Sequence, residues 1–504
     1  MNILTINALP SGGAAYAALR LHVALMAHGH RGTFVCTDPV LPGCLPLNYT
    51  SPGGAPLMSS LFRYWDSLTT PDSRTEAACE LFSDMSTVLF SCAVSDDAIA
   101  QADIVHLHWA QGVLLSPKLF PQLCGKKIVW TFHDMNPFTG GCHYHVSCRR
   151  YDQQCGECPM LVTPSSNDLS AQSHRLKREL YPHLDLALAS PSAWLAKLAS
   201  NSSLFAGQPV AVIPNAHDIK LFSPRDRQAL REEYDVPQDE FVVLAGMESL
   251  DNPRKNIECV IEAMEIFAET YPEIPFELVM FGGGGVLSAS FCIRHVGSVE
   301  SDTLADWYNM ADVFVHPSKL DNLSNTLCEA QCCGTPVIAF DTGGSAEAFQ
   351  DGVTGFISEL SPEALARTIN KMFMSDRPRM RVAAREFASR RFCEESVAQQ
   401  YSRVYEEHAG TGGRRQSHGS LEEVLVANVM DSLFKVMVAT GAYCEIAVQP
   451  SCAKGGKRGG GMEESGAYPE DSRRGCIIRP EASASSGTWI GAMLQKVLSL
   501  RKCE

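Results

Sequence analysis

Short apolar runs alternate with helix-like segments from the first residue to about residue 405. An apolar run bounded by turn residues predicts a strand, and a segment with apolar residues three and four positions apart predicts a helix. Strands that alternate with helices are typical of parallel sheets covered by helices on both faces. The predicted strands are Ile3 to Ile6, Ile104 to His108, Ile128 to His133 and Leu186 to Ser190 in the first half, and Phe241 to Ala245, Phe276 to Phe281, Val313 to His316 and Val337 to Phe340 in the second half. The fold class is therefore predicted to be α/β, with two similar domains.

Two helices can be predicted from the spacing of their apolar residues. The segment after the first strand carries Leu19, Val23 and Met26 at helical spacing. A second helix is predicted to begin at Asn256, and its apolar positions are Ile257, Val260, Ile261, Met264 and Phe267. One face of this second helix is expected to pack on a sheet.

Length and charge narrow the classes of protein to consider. A chain of 504 residues is too long for one core and predicts two or three domains. The 42 basic and 57 acidic residues give a net charge of −15, which argues against broad nucleic-acid binding and favours small-molecule partners. Most of the 19 cysteines stand singly in apolar segments, as buried thiols do in a reducing compartment.

The start of the chain and its hydropathy predict a cytoplasmic protein. Met1 leads directly into an apolar run without the basic start and cleavage site of a signal peptide. No run reaches the roughly 18 apolar residues of a membrane-spanning helix. The nearest candidate, around Val424 to Ala439, is interrupted by Asp431 and Lys435. Any contact with the inner membrane is therefore expected to be peripheral.

The composition changes after residue 409. From Gly410 onward the 95 remaining residues hold 14 of the 38 glycines, and they include the run Lys454 to Gly461. Such a composition cannot bury enough apolar surface to order a chain. We predict a largely disordered tail over residues 409–504.

Glycines follow two of the predicted strands at their carboxyl ends. Gly12 and Gly13 come between the first strand and the first helix, and Gly283 lies in the run Gly282 to Gly285 after Phe281. Glycine lets the backbone approach a ligand closely, and the carboxyl ends of parallel strands are where such sheets bind ligands. A tight turn or a flexible link explains the same glycines equally simply.

Two acidic residues form the most informative pattern of the second half. Asp321 precedes a predicted helix and Glu329 lies on it, eight positions later, in a segment that ends Cys-Gly-Thr-Pro-Val. Two such carboxylates can converge on a ligand with paired hydroxyls, as a sugar or a ribose offers. Helix capping and ordinary surface charge are the alternative explanation.

The acid-x7-acid pattern and its flanking residues resemble the nucleotide-sugar site of family 4 glycosyltransferases. The resemblance extends over residues 1 to about 405 and includes Ile213-Pro-Asn-Ala-His-Asp218 at the position of the family's hinge. It implies the GT-B fold, in which two Rossmann-like domains face a cleft. The family usually has Glu at the position of Asp321 and often Pro at that of Ser324, which leaves the identity of the donor sugar open.

The resemblance also implies roles for single residues around the donor. Glu329 would hold the ribose hydroxyls, Asp321 the hydroxyls of the transferred sugar, and the loop amides the diphosphate. Lys255 would stabilise the negative charge on the leaving diphosphate, with Arg254 as a second cation in place of an Arg that the family carries near Met247. Fixed cations of this kind make a catalytic metal unnecessary. The loop residues are Leu323, Ser324, Asn325 and Thr326.

On the acceptor side, His133 ends a predicted strand and matches a functional histidine of the family. A buried structural histidine is the alternative. His106 and His108 also lie on a predicted strand, and we expect their side chains to face opposite sides of the sheet.

Four cysteines lie within 17 residues, at Cys142, Cys148, Cys155 and Cys158. Their spacing suits one structural zinc ion, and a loop-closing disulfide or unlinked thiols remain alternatives. The segment from Thr131 to Pro159 resembles the subgroup of family 4 that is associated with colanic acid and exopolysaccharide synthesis.

The sequence therefore predicts an acceptor-side domain over residues 1–205, with a helix over 390–408 that crosses back to it, and a donor-binding domain over 206–389. The resemblance implies a retaining transfer of a hexose-type sugar from a UDP- or GDP-sugar to a glycan or lipid-linked acceptor, in extracellular or capsular polysaccharide synthesis. Two alternatives stay open, a nucleotide-sugar-binding protein without transfer activity and another GT-B enzyme such as a nucleotide-sugar epimerase.

Overall fold

The structure is a computed structural model that describes residues 1–9, 12–36, 45–46, 48–50, 91–110, 113–114, 119–145, 147–284 and 288–411. All of these residues fall in one compact unit, Met1–Val426. The predicted disordered tail lies outside the described residues beyond Thr411.

The described strands follow the predicted alternation. They are β1 (Asn2–Ile6), β2 (Arg31–Cys36), β3 (Leu45–Pro46), β4 (Asn48–Thr50), β5 (Ser91–Ala93), β6 (Ile104–Leu107), β7 (Lys127–Thr131), β8 (Asp185–Ser190), β9 (Val210–Val212), β10 (Phe241–Ser249), β11 (Phe276–Gly283), β12 (Ile293–Gly297), β13 (Val313–His316), β14 (Val337–Phe340) and β15 (Gly355–Ser358). All eight predicted strands are present.

The described α-helices separate most of these strands. They are α1 (Gly13–Ala27), α2 (Asp96–Gln101), α3 (Leu119–Leu123), α4 (Leu169–Leu180), α5 (Ala193–Asn201), α6 (Arg227–Glu233), α7 (Glu258–Thr270), α8 (Ser301–Met310), α9 (Asn325–Cys332), α10 (Pro362–Phe373), α11 (Arg377–Arg391) and α12 (Glu394–Gly410).

The long strands form two parallel sheets, one in each half of the chain. The first sheet has the order β3-β2-β1-β6-β7-β8-β9 and the second has the order β12-β11-β10-β13-β14-β15. Strands β4 and β5 pair separately as a two-stranded antiparallel sheet. In both sheets the chain moves outward from a central strand, returns, and continues on the other side, which is the doubly wound order of Rossmann-like domains. We call the parts built on the first and second sheets the first and second lobes.

Helix α7 packs as its spacing predicted. Its five predicted apolar positions are all buried in the core of the second lobe. The helix begins at Glu258, however, and not at Asn256. Asn256 has a φ of 58° and so cannot belong to a right-handed helix. Lys255 therefore lies in the loop before the helix.

Helix α1 forms as predicted. Two residues of the predicted pattern, Leu19 and Met26, pack partly buried against the core, whereas Val23 is 49% exposed. The most deeply buried positions include the small residues Ala17 and Ala18, because alanine permits close contact with neighbouring elements.

Helix α12 crosses back to the first lobe. Tyr405 Oη lies 2.7 Å from His106 Nδ1, and Tyr401 Oη lies 2.8 Å from Thr131 Oγ1. The first lobe also contains β9, which pairs with β8 in parallel. The first sheet thus continues past residue 205, where the sequence analysis placed the boundary, because the hinge signature marks the chain crossing only after this last strand.

No helix in the described part of the chain is long and apolar enough to span a membrane.

Tyr405→Phe is expected to destabilise the attachment of α12 by about 1–2 kcal/mol, because it removes a buried hydrogen bond and leaves His106 Nδ1 without its partner. The measurement is the melting temperature of the full chain. Tyr16→Phe is the matched control, since Tyr16 is 52% exposed and should tolerate the same change. Equal melting temperatures for wild type and Tyr405→Phe would contradict the prediction.

Candidate active site

Lys255 and Asp321 meet where two neighbouring strands of the second sheet end. Lys255 follows β10 and Asp321 follows β13, and these strands pair in parallel, so their carboxyl ends lie at one edge. Lys255 Nζ lies 2.5 Å from Asp321 Oδ2, and one fifth of the lysine side chain is exposed. The structure thus brings together two of the residues that the sequence predicted to be catalytic.

Asp321 is surrounded by groups that favour its charged form. Arg254 Nη1 and the Tyr144 hydroxyl both lie 3.4 Å from Oδ1, and His316 Nε2 lies 3.4 Å from Oδ2. Burial raises the pKa of the Asp321 carboxyl, but Lys255, His316 and Arg254 together hold that pKa well below its usual range. Asp321 is therefore a carboxylate that can only accept hydrogen bonds, as a contact with sugar hydroxyls requires.

The environment of Lys255 disfavours the charged form of its side chain. Burial lowers the pKa of its ammonium group, and Asp321 partly offsets that effect. The charge on Lys255 thus depends on its acidic partner. Asn256 next to it has a left-handed backbone, with a φ of 58°, a conformation that Asn adopts at less cost than most residues.

Arg254 is engaged on two sides. Its Nη1 donates a hydrogen bond to the backbone oxygen of Leu320 at 2.7 Å, and its guanidinium lies 4.7 Å from the centre of the Tyr144 ring. Tyr144 belongs to the first lobe, so this stacked pair closes the cleft over Asp321. The role predicted for Arg254 as a second cation at the diphosphate stays a prediction.

Glu329 lies in a different charged cluster from Asp321. Its Oε1 accepts from Arg20 Nη1 at 2.8 Å, and its Oε2 accepts from the Tyr308 hydroxyl at 3.4 Å. Burial raises the pKa of Glu329, although Arg20 opposes that shift. The two acids thus pair with different cations, which fits carboxylates that serve different parts of one extended ligand.

The amino ends of α1 and α9 meet across the cleft. Asn325 Nδ2 donates to the backbone oxygen of Gly13 at 3.1 Å. Neither Gly12 nor Ser324, the residues that precede the two helices, caps its helix by a side-chain hydrogen bond. Two helix amino ends therefore point toward one region, where their partial positive charges favour an anion.

The remaining loop residues divide between support and backbone contact. Ser324 Oγ and Thr326 Oγ1 lie 2.9 Å apart, and the Leu323 side chain is buried in the core. Gly283 lies beside Ser298 and Glu248 at the end of β11. A Cβ at the neighbouring Gly282 would come within 2.1 Å of Met247 O, so packing already requires glycine in this run. A role for Gly283 in approaching the donor stays a prediction.

His133 comes from the first lobe and faces the same cleft. Its backbone oxygen accepts a hydrogen bond from Asn322 Nδ2 at 3.1 Å, and its Nε2 lies 2.9 Å from His108 Nδ1. Burial lowers the pKa of His133 to about 4, so the ring is neutral at pH 7. Its contact with a ligand in the cleft would be a hydrogen bond between neutral groups and not an ion pair.

The expectation that His106 and His108 face opposite sides is wrong. Their ring centroids are 4.2 Å apart, because residues two positions apart on a strand share a face.

The four clustered cysteines line one small pocket in the first lobe. All four are free thiols, so the structure contains no disulfide among them. A hydrogen bond with Cys142 lowers the pKa of Cys158 to about 7, and Gly140 N donates to Cys155 Sγ at 3.2 Å. Among the described residues, no three or more side chains of metal-binding type are arranged to hold an ion. The structural zinc therefore stays a prediction.

Sequence reasoning missed three residues of the site. His316 was treated only as the end of a strand, although strand ends are where polar residues reach a ligand. Arg20 is the only charged residue of α1, which is a signal that was available. Tyr144 gave no signal, because its contact with Asp321 joins positions 177 residues apart.

Comparison with known proteins agrees with this geometry. Residues 240–375, which contain all six strands of the second sheet, match the family model described as "Glycosyl transferases group 1". The chain carries a group 1 glycosyltransferase domain. The match includes Lys255, Asp321 and Glu329, so the family resemblance predicted from the motifs is confirmed.

Two curated relatives extend the comparison. D-inositol 3-phosphate glycosyltransferase of Kribbella flavida is 32% identical over 174 residues, which are 31% of this chain and 41% of that protein. This chain thus matches about two fifths of the length of that relative. The putative colanic acid biosynthesis glycosyl transferase WcaC of Escherichia coli is 25% identical over 383 residues, which cover 71% of this chain and 88% of WcaC.

Solved structures share the fold. HepE from Anabaena, solved in complex with UDP and glucose, superimposes with a TM-score of 0.52 at 16% identity, over 80% of this chain and 99% of HepE. The predicted GT-B fold, with two Rossmann-like lobes, is therefore confirmed.

Proposed function

We propose that this protein is a retaining glycosyltransferase that moves a hexose-type sugar from a UDP- or GDP-sugar to a glycan or lipid-linked acceptor. The observation that carries the proposal is the Lys255–Asp321 pair, which lies in the cleft between the lobes at the carboxyl ends of β10 and β13. The pair offers a cation for a leaving diphosphate and a carboxylate for sugar hydroxyls within one hydrogen bond of each other.

The reaction breaks the bond between the anomeric carbon and the diphosphate oxygen, whose electron pair leaves with the diphosphate. The acceptor hydroxyl forms the new bond to the anomeric carbon on the same face, and its proton passes to the departing diphosphate. Lys255 and the amino ends of α1 and α9 stabilise the charge that develops on that group. No metal ion takes part in this scheme.

The donor lies on the second lobe and the acceptor on the first. Asp321 accepts hydrogen bonds from the transferred sugar, and neutral His133 contributes a further contact from the opposite lobe. Contacts between the lobes favour exclusion of water, which would otherwise compete as the acceptor. One such contact joins Glu347 to the backbone N–H groups of Ala193 and Trp194, at 2.7 Å each.

The acceptor is proposed to belong to extracellular or capsular polysaccharide synthesis, on the cytoplasmic side of the membrane. The similarity to WcaC, a putative colanic acid biosynthesis glycosyl transferase, over 71% of this chain supports this assignment.

The test uses the full chain with a panel of UDP- and GDP-hexoses and a mixture of lipid-linked and soluble oligosaccharide acceptors. We expect release of nucleoside diphosphate that requires the acceptor, together with a product lengthened by one sugar in the anomeric configuration of the donor. Binding without turnover of any donor would overturn the proposal in favour of a nucleotide-sugar-binding protein. Isomerisation of the donor sugar without an acceptor would overturn it in favour of an epimerase.

A further inference from the structure

Arg20 reaches from the first lobe into the predicted ribose site of the second. It lies on α1, the helix that follows the Gly12–Gly13 turn, and its Nη1 lies 2.8 Å from Glu329 Oε1. Only 19% of the arginine side chain and 7% of the glutamate side chain are exposed. This partly buried ion pair joins the two lobes across the cleft.

Groups of the hinge and the second lobe fix the direction of the Arg20 guanidinium. His217 Nδ1 lies 3.1 Å from Arg20 Nη1, and the guanidinium lies 5.5 Å from the centre of the Phe222 ring. Arginine only donates hydrogen bonds, so His217 accepts at Nδ1 and carries its proton on Nε2. His217 is fully buried, and its backbone N–H donates to the backbone oxygen of Phe392, just before α12. His217 and Phe222 therefore hold the Arg20 guanidinium in place, and the same Nη1 that contacts His217 also reaches Glu329.

We propose that Arg20 is a positioning residue for the ribose of the nucleotide donor. It keeps the buried Glu329 carboxylate charged and oriented, so that the carboxylate accepts hydrogen bonds from both ribose hydroxyls. This inference rests on the proposed function and on the contact with the donor ribose that the family resemblance implies for Glu329.

The free capacity of Glu329 supports this role. A carboxylate offers about four lone-pair sites on its two oxygens. In the described part of the chain these oxygens are occupied by Arg20 and by a long contact of 3.4 Å from the Tyr308 hydroxyl. The two oxygens therefore keep the capacity to accept hydrogen bonds from a pair of hydroxyls while Arg20 stays in place. Because Arg20 belongs to the first lobe, recognition of the ribose is completed only when the two lobes are together.

The experiment compares binding of a ribonucleoside diphosphate with that of its 2′,3′-dideoxy counterpart, by calorimetric titration of the full chain. The probe is UDP or GDP, whichever binds the wild type more tightly. The variants are Arg20→Met and Arg20→Lys, and the matched control is Arg390→Met, because the Arg390 side chain is 79% exposed.

Wild type is expected to prefer the ribonucleotide over the dideoxy form by at least about tenfold. Arg20→Met should weaken binding of the ribonucleotide about tenfold and that of the dideoxy nucleotide less than about twofold, and Arg20→Lys should fall between wild type and Arg20→Met. In a Glu329→Gln background, Arg20→Met should add little further loss, because the two residues act as one unit.

Three results would overturn the inference. Equal losses of affinity for both nucleotides would assign Arg20 a general structural role. No loss of affinity for either nucleotide would mean that Arg20 plays no part in binding the ribose. Tighter binding of the ribonucleotide by Arg20→Met would show that the ion pair masks Glu329 instead of orienting it. Failure of the wild type to bind any nucleoside diphosphate would instead contradict the proposed function itself. Circular dichroism of each variant confirms that it is folded, and Arg20→Lys carries the test if Arg20→Met is not.

Discussion

Lys255→Ala is expected to lower kcat for sugar transfer by about a hundredfold to a thousandfold. The lysine ammonium acts on charge that is fully developed only as the diphosphate leaves, so its removal raises the transition state more than the ground state. KM for the donor should change much less than kcat. The measurement is the initial rate of acceptor-dependent diphosphate release, over a range of donor concentrations.

The control is Lys371→Ala, because Lys371 is an exposed lysine on α10 of the same lobe. It should leave both kinetic constants unchanged. Since Lys255→Ala also leaves Asp321 without its nearest cation, the melting temperature of each variant should be measured at the same time. A folded Lys255→Ala variant with a wild-type kcat would remove Lys255 from the catalytic role.

The meeting of Lys255 and Asp321 followed from the sequence for a physical reason. The apolar runs around each residue are short, β-rich and bounded by turns, so they specified parallel strands. Parallel strands of one sheet bring their carboxyl ends to one edge, so residues that follow β10 and β13 had to lie near each other although they are 66 positions apart. Local sequence patterns were enough to predict this contact because the regular geometry of a parallel sheet determines where the residues after each strand lie.

Contacts between the lobes could not be derived in this way. The pairing of Arg20 with Glu329 and of Tyr144 with Asp321 depends on how two separately folded sheets dock, and no periodicity in the sequence encodes that geometry. The same reason explains the error at β9. Its three residues are too short to give a pattern, and only pairing with β8 assigns them to the first lobe.

Asp321→Asn is expected to reduce kcat/KM at pH 7 by about tenfold to a hundredfold, the range for loss of hydrogen bonds to a charged group. The amide keeps the size of the carboxylate but accepts at only one oxygen, so the sugar hydroxyls lose an acceptor. Asp239→Asn is the control, since Asp239 is an exposed residue before β10, at the opposite edge of the sheet. Unchanged kcat/KM in a folded Asp321→Asn variant would contradict a contact between Asp321 and the donor sugar.

The same substitution should change the pH profile, because Asp321 maintains the charge on Lys255. Burial lowers the pKa of Lys255 and Asp321 raises it, so removing the carboxylate charge lowers that pKa further. A lysine is charged below its pKa. The alkaline decline of kcat/KM, which reports on the free enzyme, should therefore begin at a lower pH in Asp321→Asn than in wild type, and the deficit of the variant should grow as the pH rises. A deficit that is constant across the alkaline range would mean that Lys255 keeps its charge without Asp321, and that the two residues act on the donor independently.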